Sequence, residues 1–242
     1  MYLSMEPAIR GWVDGKANYF EPIPIGGVIR GPSVGQVVKS CNQDFVEGDL
    51  VYALNHWEDY SICHSEAILL EKLKPETGIP ISYYVGSLGG AGATAYIGLH
   101  EVGQIQAGQT VVVSAAAGAT GSMAGQIAKL CGCTVIGIVG SDKKAKLIVD
   151  KFGFDAAINY KNDDVTKSVM AIASEGADIY FDNVGGPILN AMLPAMKVYG
   201  RIIGCGMISD YNRTDNPNPI TNLWEMVSRQ LTMQGFLLPS YQ

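Results

Sequence analysis

The chain has 242 residues, of which 48% are hydrophobic and 17% charged, and its formal net charge is -6. This length and composition predict a soluble globular protein, longer than one average domain and able to bury a large core. Its Lys and Arg residues are scattered, no apolar run approaches the ~18 residues of a membrane span, and no basic start precedes an apolar segment. We therefore expect a cytoplasmic protein without nucleic-acid or membrane partners.

The five cysteines are odd in number and mostly far apart, which favours reduced thiols over a disulfide framework. One close pair exists, Cys131 and Cys133, but no second pair completes a tetrahedral site, so a buried turn is the favoured interpretation. The three histidines add no ligand pattern. We therefore expect no bound metal.

The predicted secondary-structure pattern changes near residue 85. Before it, short β-rich runs alternate with Gly, Pro and Asp turns, the pattern of a small antiparallel barrel-like unit; these runs are GQVVKS at 35–40, DLVYALN at 49–55 and YSICHSEAILL at 60–70. After it, apolar strands alternate with helical patterns. This change predicts two domains, residues 1–85 and residues 86–242.

The second domain is predicted to be a doubly wound parallel sheet of the α/β class, because helical crossovers connect successive apolar strands. The predicted strands are 110–116, 134–140, 156–160, 177–183, 200–206 and 231–238, and the predicted helices are 121–131, 142–153, 164–174, 187–197 and 222–230. Numbered along the domain, the expected order across the sheet is 3-2-1-4-5-6.

A loop of small residues, SAAAGATGSMAGQIAKL at 114–130, connects the first of these strands to the first helix. It has Ala115 where the usual dinucleotide fingerprint has its first glycine, and it keeps Gly118 and Gly121 next to the helix. Small residues there let the backbone approach a pyrophosphate, whose charge the helix N-terminus stabilises. The loop therefore predicts a nucleotide site at the point where strand order reverses.

The end of the second strand, VGSDKK at 139–144, distinguishes the two nicotinamide cofactors. NAD enzymes place a carboxylate there for the ribose 2′-hydroxyl, whereas this strand ends in Gly140 and Ser141 and is followed by Lys143 and Lys144. Cations suit a 2′-phosphate, so NADPH is favoured. Two points stay open: Asp142 is a nearby carboxylate, and the alternative role of both lysines is to solvate a helix face.

Six segments together resemble one family. They are YLSMEPAIRG at 2–11, TAYIGL at 94–99, GATGSMAGQIAKL at 118–130, GSDKKAKLIVDKFGFDAAINYK at 140–161, YFDNVGG at 180–186 and GRIIGCGMISDYN at 200–212. In order and in sequence they are similar to the zinc-independent medium-chain dehydrogenases/reductases of the leukotriene hydroxydehydrogenase, prostaglandin reductase and plant double-bond reductase group. The resemblance covers nearly the whole chain.

The resemblance implies a Rossmann-type doubly wound parallel sheet plus a partial GroES-like antiparallel β barrel. It also implies an activity: NADPH-dependent reduction of the C=C bond of α,β-unsaturated ketones or aldehydes, without zinc. Such a reaction needs a positioned cofactor and a polarised enone rather than a protein nucleophile. Two alternatives stay open, a quinone oxidoreductase and a nucleotide-binding fragment without turnover.

The family pattern also implies site residues. Tyr211 would stabilise or protonate the developing enolate, since a phenol with a pKa of about 10 can donate a hydrogen bond at neutral pH; shaping of the cofactor site is the alternative role. Asn183 is alternatively a turn former. The residues implied to bind NADP(H) are Gly118, Gly121, Ser141, Lys144, Tyr160, Asn183, Cys205, Gly206, Met207, Ile208, Ser209, Phe236, Leu237 and Leu238.

The chain departs from the family pattern in sequence and in length. Ala8 stands where many relatives have Tyr, and Ala91 replaces a proline in the expected turn at 89–96, which leaves the size of the substrate open. Family members are longer, so the chain is expected to be truncated at both ends. The apolar sixth strand, 231–238, would leave an uncovered sheet edge, which predicts a homodimer.

Overall fold

The computed structural model describes residues 2–15, 19–63, 69–213 and 215–241. Contacts between Cα atoms divide the chain into two compact units, Met1–Gly90 and Ala91–Gln242. Within the described ranges, no helix combines the length and the apolar character that crossing a membrane requires.

The first unit contains a four-stranded antiparallel sheet in the order β1-β2-β3-β4. Its strands are β1 (Tyr2–Leu3), β2 (Arg30–Gln36), β3 (Leu50–His56) and β4 (Glu71–Lys72), and one short helix, α1 (Ala8–Trp12), follows β1. β2 and β3 pair along their whole length, from Arg30 opposite His56 to Gln36 opposite Leu50. The apolar side chains of α1 form a small core with Ile23.

The predicted β-rich runs of this unit are only partly correct. The run 49–55 is β3, but 35–40 overlaps only the last two residues of β2, because the strand lies upstream, where Ser33 and Val34 are buried. Val38 is 64% exposed and lies beyond the strand. In the run 60–70, residues 60–63 are not strand, and 64–68, with His64, lie outside the described residues.

The second unit is a six-stranded parallel sheet in the order β10-β9-β8-β5-β6-β7, which confirms the predicted order 3-2-1-4-5-6. The strands are β5 (Thr110–Ser114), β6 (Thr134–Val139), β7 (Ala156–Asn159), β8 (Ala177–Asp182), β9 (Met196–Gly204) and β10 (Thr232–Gly235). The helices are α2 (Gly90–Ile97), α3 (Ala119–Leu130), α4 (Asp142–Phe152), α5 (Val165–Ile172), α6 (Gly186–Met192) and α7 (Trp224–Ser228).

The core of this unit has two layers, one on each face of the sheet. Successive side chains of a strand point to opposite faces, so Val111 and Val113 of β5 join one cluster while Val112 joins the other. The first cluster contains residues of α3 and α4, and the second contains residues of α5 and α6. Because both faces are covered, the strands read as continuous apolar runs in the sequence.

Two helix predictions and one turn prediction need correction. The helix predicted at 187–197 ends as α6 at Met192, and a 3-10 turn, Leu193–Ala195, leads into β9. Pro194 explains this end, because proline has no N–H for the helical ladder and crowds the preceding turn. The last predicted helix, 222–230, is reduced to α7. Residues 89–96, expected as a turn, are mostly α2, which continues into a π-helical turn at Gly98–Val102.

Candidate cofactor site

The predicted site residues all lie where the parallel strands end. Each of the six strands contributes to this carboxyl edge of the sheet. Gly118 and Gly121 follow β5, Ser141 and Lys144 follow β6, Tyr160 follows β7, Asn183 follows β8, Cys205, Gly206, Met207, Ile208, Ser209 and Tyr211 follow β9, and Phe236, Leu237 and Leu238 follow β10. Ligands of open α/β sheets bind at this edge, where strand order reverses.

The small-residue loop after β5 is tightly folded. Ala115 has a φ of 48°, a left-handed conformation that favours glycine, at the position where the fingerprint glycine is missing. Its carbonyl oxygen accepts the N–H of Gly118 at 2.8 Å. A Cβ on Gly121 would lie 2.4 Å from the same oxygen, so only glycine lets α3 begin this close to the loop.

The amino end of α3 has no side-chain cap. Its N-cap residue, Gly118, offers no hydrogen-bonding side chain, whereas Ser141 caps α4 and Asp164 caps α5 by accepting backbone N–H groups. The first N–H groups of a helix have no intrahelical acceptor. At α3 these donors are therefore left for an anion, and the helix dipole favours its negative charge.

A buried carboxylate connects the loops after β5 and β8, the two strands between which the order reverses. Asp182 is 2% exposed, and its Oδ1 accepts the hydroxyls of Tyr180 at 2.7 Å and Ser114 at 3.2 Å. The same oxygen accepts the N–H groups of Val184 and Gly185, both at 2.9 Å. Burial raises the pKa of the Asp182 carboxyl, although these hydrogen bonds act in the opposite direction.

Asn183 belongs to the same network. Its backbone N–H donates to the Ser114 hydroxyl at 2.9 Å, and its side-chain Nδ2 donates to the Ser114 carbonyl at 2.8 Å. Asn183 therefore orients the end of β5 through Ser114. Ser114 and Asp182 were not predicted as site residues; the sequence signal for both is a polar residue ending an apolar strand.

The loop after β9 is fixed against the loop after β8. The N–H groups of Cys205 and Gly206 donate to the Asp182 carbonyl at 2.9 and 3.0 Å, and that of Ile208 donates to the Asn183 carbonyl at 3.3 Å. The Ser209 hydroxyl donates to the carbonyl of Val184 at 2.7 Å. Burial, aided by the charge of Asp182, raises the pKa of Cys205 to about 12, so this thiol stays protonated and is not a nucleophile.

Tyr211 is part of this loop and is only partly exposed. Its hydroxyl oxygen accepts the N–H of Met207 at 3.4 Å, which leaves the phenolic proton available for another acceptor. Burial raises the pKa of Tyr211, so the phenol is protonated at neutral pH. The geometry is compatible with a hydrogen-bond donor to a reacting oxygen.

The residues expected near the 2′-phosphate lie at the ends of β6 and β7. The ring of Tyr160 lies against Gly140, where a Cβ would come within 3.1 Å of it. Ser141 uses its hydroxyl to cap α4, accepting the N–H of Lys144 at 3.3 Å. The Lys144 side chain is exposed and forms no ion pair with the described part of the chain. The Lys144 ammonium is therefore exposed at this edge and unpaired among the described residues.

The residues after β10 close the edge on the other side. Phe236 packs onto the first core cluster, and its ring occupies the space that a Cβ on Gly98 would need, at 2.9 Å. Leu237 is 42% exposed, and Leu238 begins a 3-10 turn, Leu238–Tyr241. Phe236 is thus a core residue as well as a candidate contact.

The sheet order and the small-residue loop at its switch point define a dinucleotide-binding protein of the Rossmann type. Residues 119–242 match the family model described as zinc-binding dehydrogenase, and residues 1–70 match the model of the N-terminal domain of oxidoreductase. The chain belongs to this family of medium-chain dehydrogenases/reductases, which confirms the resemblance inferred from the motifs.

Three relatives illustrate the similarity. The chain is 42% identical over 243 residues to the NADP(+)-dependent 2-alkenal reductase of Nicotiana tabacum, a match that covers 100% of this chain and 70% of the relative. It is 44% identical over 221 residues to prostaglandin reductase 1 of Sus scrofa, covering 90% and 66%. The crystal structure of CurA from Vibrio vulnificus in complex with NADPH matches with a TM-score of 0.87 and 39% identity, covering 98% and 70%.

The family description names zinc, but the described ranges contain no set of zinc ligands. There, no group of three or more His, Cys, Asp or Glu side chains is placed to hold a metal ion. His100 and Cys131 come within 4.0 Å of each other, but the His100 ring lies against the Tyr96 ring, with the centroids 4.3 Å apart and the planes tilted by 40°. These residues do not fit a zinc centre.

Proposed function

We propose that the chain is an NADPH-dependent reductase of the C=C bond of α,β-unsaturated ketones or aldehydes. The observation that carries the proposal is the uncapped amino end of α3, reached through a loop that only glycine at position 121 allows. A pyrophosphate fits there because the site offers backbone donors and no competing side chain. The alkenal named for the tobacco relative supports the substrate class.

The preference for NADPH is supported by the charge at the ends of β6 and β7. Lys144 is exposed without an ion-pair partner in the described chain, and Tyr160 offers a half-exposed phenol beside Gly140. Both side chains suit a phosphate on the ribose. When bound, NADPH supplies the hydride to the β-carbon of the substrate.

Tyr211 is the proposed catalytic residue. The Tyr211 oxygen accepts the N–H of Met207, and its raised pKa keeps the phenol protonated. The phenol can therefore donate a hydrogen bond to the substrate oxygen as negative charge develops there. Cys205 in the same loop stays a neutral thiol and contributes packing rather than chemistry.

The proposal also covers assembly, location and domains. β10 pairs only with β9 within the described chain and is exposed along its length, so its edge is available for pairing with a second copy. We include a homodimer through this edge and a cytoplasmic location. The division into a substrate domain, 1–85, and an NADP-binding domain, 86–242, stays a prediction.

The test compares Tyr211→Phe with wild type in single-turnover oxidation of NADPH by a small alkenal. We expect the variant to lose at least tenfold in rate, since removal of one oxyanion donor costs about 100-fold or more when nothing replaces it. NADPH affinity should stay nearly unchanged. Tyr199→Phe is the matched control, because that phenol is 70% exposed near the amino end of β9.

Each outcome separates the alternatives. Equal rates for Tyr211→Phe and wild type would remove the catalytic role, and a large loss of NADPH affinity would make Tyr211 a binding residue instead. Wild-type turnover of a quinone but not of the alkenal would favour a quinone oxidoreductase. NADPH binding with neither turnover would leave a binding protein.

A further inference from the structure

The carboxyl ends of β6 and β7 lie side by side, and this brings the start of α4 next to the end of β7. Val139, the last residue of β6, pairs with Asn159, the last residue of β7. Asp142 is the first residue of α4, and its Oδ1 accepts a hydrogen bond from Asn159 Nδ2 at 2.7 Å. Two residues that are far apart in the sequence are thus in direct contact.

Asn159 is fixed in its orientation by the turn that follows it. It is 7% exposed, and its side-chain Oδ1 accepts the N–H of Lys161 at 3.3 Å. Its own N–H donates to Asp163 Oδ2 at 2.9 Å, and its carbonyl accepts the N–H groups of Asn162 and Asp163. With Oδ1 engaged by a backbone donor, the amide has its Nδ2 directed to Asp142.

The carboxylate of Asp142 is therefore engaged by a neutral amide, not by a cation. Lys143 and Lys144 stand next to it in the sequence, yet neither forms an ion pair with the described residues. The negative charge is held on the β7 side of the helix start, and the positive charges beside it remain available.

A carboxylate in this part of a dinucleotide site has a defined effect. It accepts the 2′-hydroxyl of NADH and repels the 2′-phosphate of NADPH. We propose that Asn159 is a specificity-determining residue: its amide holds the Asp142 carboxylate on the β7 side, where Asp142 neither serves the NADH ribose nor neutralises Lys144. This inference rests on the proposed function, because it presupposes that the site binds NADPH.

The test measures the dissociation constants of NADPH and NADH by calorimetry and compares their ratio. Asn159→Leu removes the amide at similar volume and releases Asp142; we expect the preference for NADPH to fall about tenfold, the scale of one hydrogen bond to a charged group. Asn159→Leu combined with Asp142→Asn removes the released charge as well, and the wild-type ratio should return. A purely structural role of Asn159 would weaken both cofactors equally and would not be rescued.

A pair of surface variants decides the question if Asn159→Leu does not fold. Asp142→Glu extends the carboxylate beyond the amide, and Asp142→Gln is its neutral control of the same length. A lower NADPH preference in Asp142→Glu than in Asp142→Gln supports the proposal, and equal ratios overturn it. A wild type without preference for NADPH overturns this inference and the proposed cofactor together, whereas a preference that survives Asn159→Leu overturns the role of Asn159 alone.

Discussion

Replacing Gly121 by alanine tests whether the close approach of α3 to the loop after β5 is what builds the site. The new Cβ would lie 2.4 Å from the Ala115 oxygen and 3.0 Å from the Ala116 Cα, and both are backbone atoms that cannot rotate away. The helix or the loop therefore has to move by roughly 1 Å to restore ordinary separation. Overpacking of this kind costs about 1–3 kcal/mol, and the preference of a helix for Ala over Gly offsets up to about 1 kcal/mol of it.

We therefore expect Gly121→Ala to lower the free energy of unfolding by about 1–2 kcal/mol and the melting temperature, measured by calorimetry, by about 2–8 °C. NADPH affinity should fall with it, because the displaced N–H groups are the proposed pyrophosphate donors. Gly118→Ala is the matched control: its Cβ has one contact, at 3.1 Å, and its φ suits any residue. Equal melting temperatures and equal affinities for the two variants would refute this account of Gly121.

Two further predictions concern cofactor choice and assembly. Lys144→Ala should weaken the binding of NADPH by about 1–3 kcal/mol more than that of NADH in binding titrations. Lys146→Ala is the control and should not, because the Lys146 ammonium already pairs with Asp150 at 2.7 Å. Equal losses for both cofactors in Lys144→Ala would contradict the 2′-phosphate role. Met233→Lys places a charge on the β10 edge and should convert a dimer into a monomer in light scattering. Its control is Ile172→Lys, at the end of α5, and a wild type that is monomeric at micromolar concentration would already exclude the homodimer.

The sequence predicted the parallel sheet well because its evidence is local. A strand buried on both faces is a continuous apolar run, as Val111–Val113 illustrate, and small residues mark the turn that follows. The same reasoning failed for α2, whose Gly and Ala residues carry no apolar stripe, although Ala95 is fully buried in the core. The sequence reasoning also placed a β-rich run at 35–40 because two valines are adjacent there. The strand lies upstream instead, where Ser33 and Val34 are buried.

The polar contacts of the site could not be predicted, because they join strand ends that are distant in the sequence. Ser114 contacts Asp182, and Asp142 contacts Asn159, only after the sheet has set the strand order. For Asp142, which the sequence leaves open, that contact is with the neutral amide of Asn159. The missing fingerprint glycine is similar: the sequence shows Ala115, and only the structure shows that its backbone keeps the left-handed conformation of a glycine.

The buried carboxyl of Asp182 belongs to the site but lowers the stability of the fold when it is ionised. Burial raises its pKa, so the unfolded chain releases this proton at a lower pH than the folded protein does. Between the two pKa values the folded state binds more protons, and stability falls as the pH rises through that window. Burial of this carboxyl is therefore a cost to folding wherever the group is ionised. What it provides is geometric: one oxygen gathers the hydroxyls of Tyr180 and Ser114 and the N–H groups of Val184 and Gly185. Since these groups belong to the ends of β5 and β8, the carboxylate fixes the two loops between which the strand order reverses. This geometric role accounts for a buried carboxyl at the end of β8.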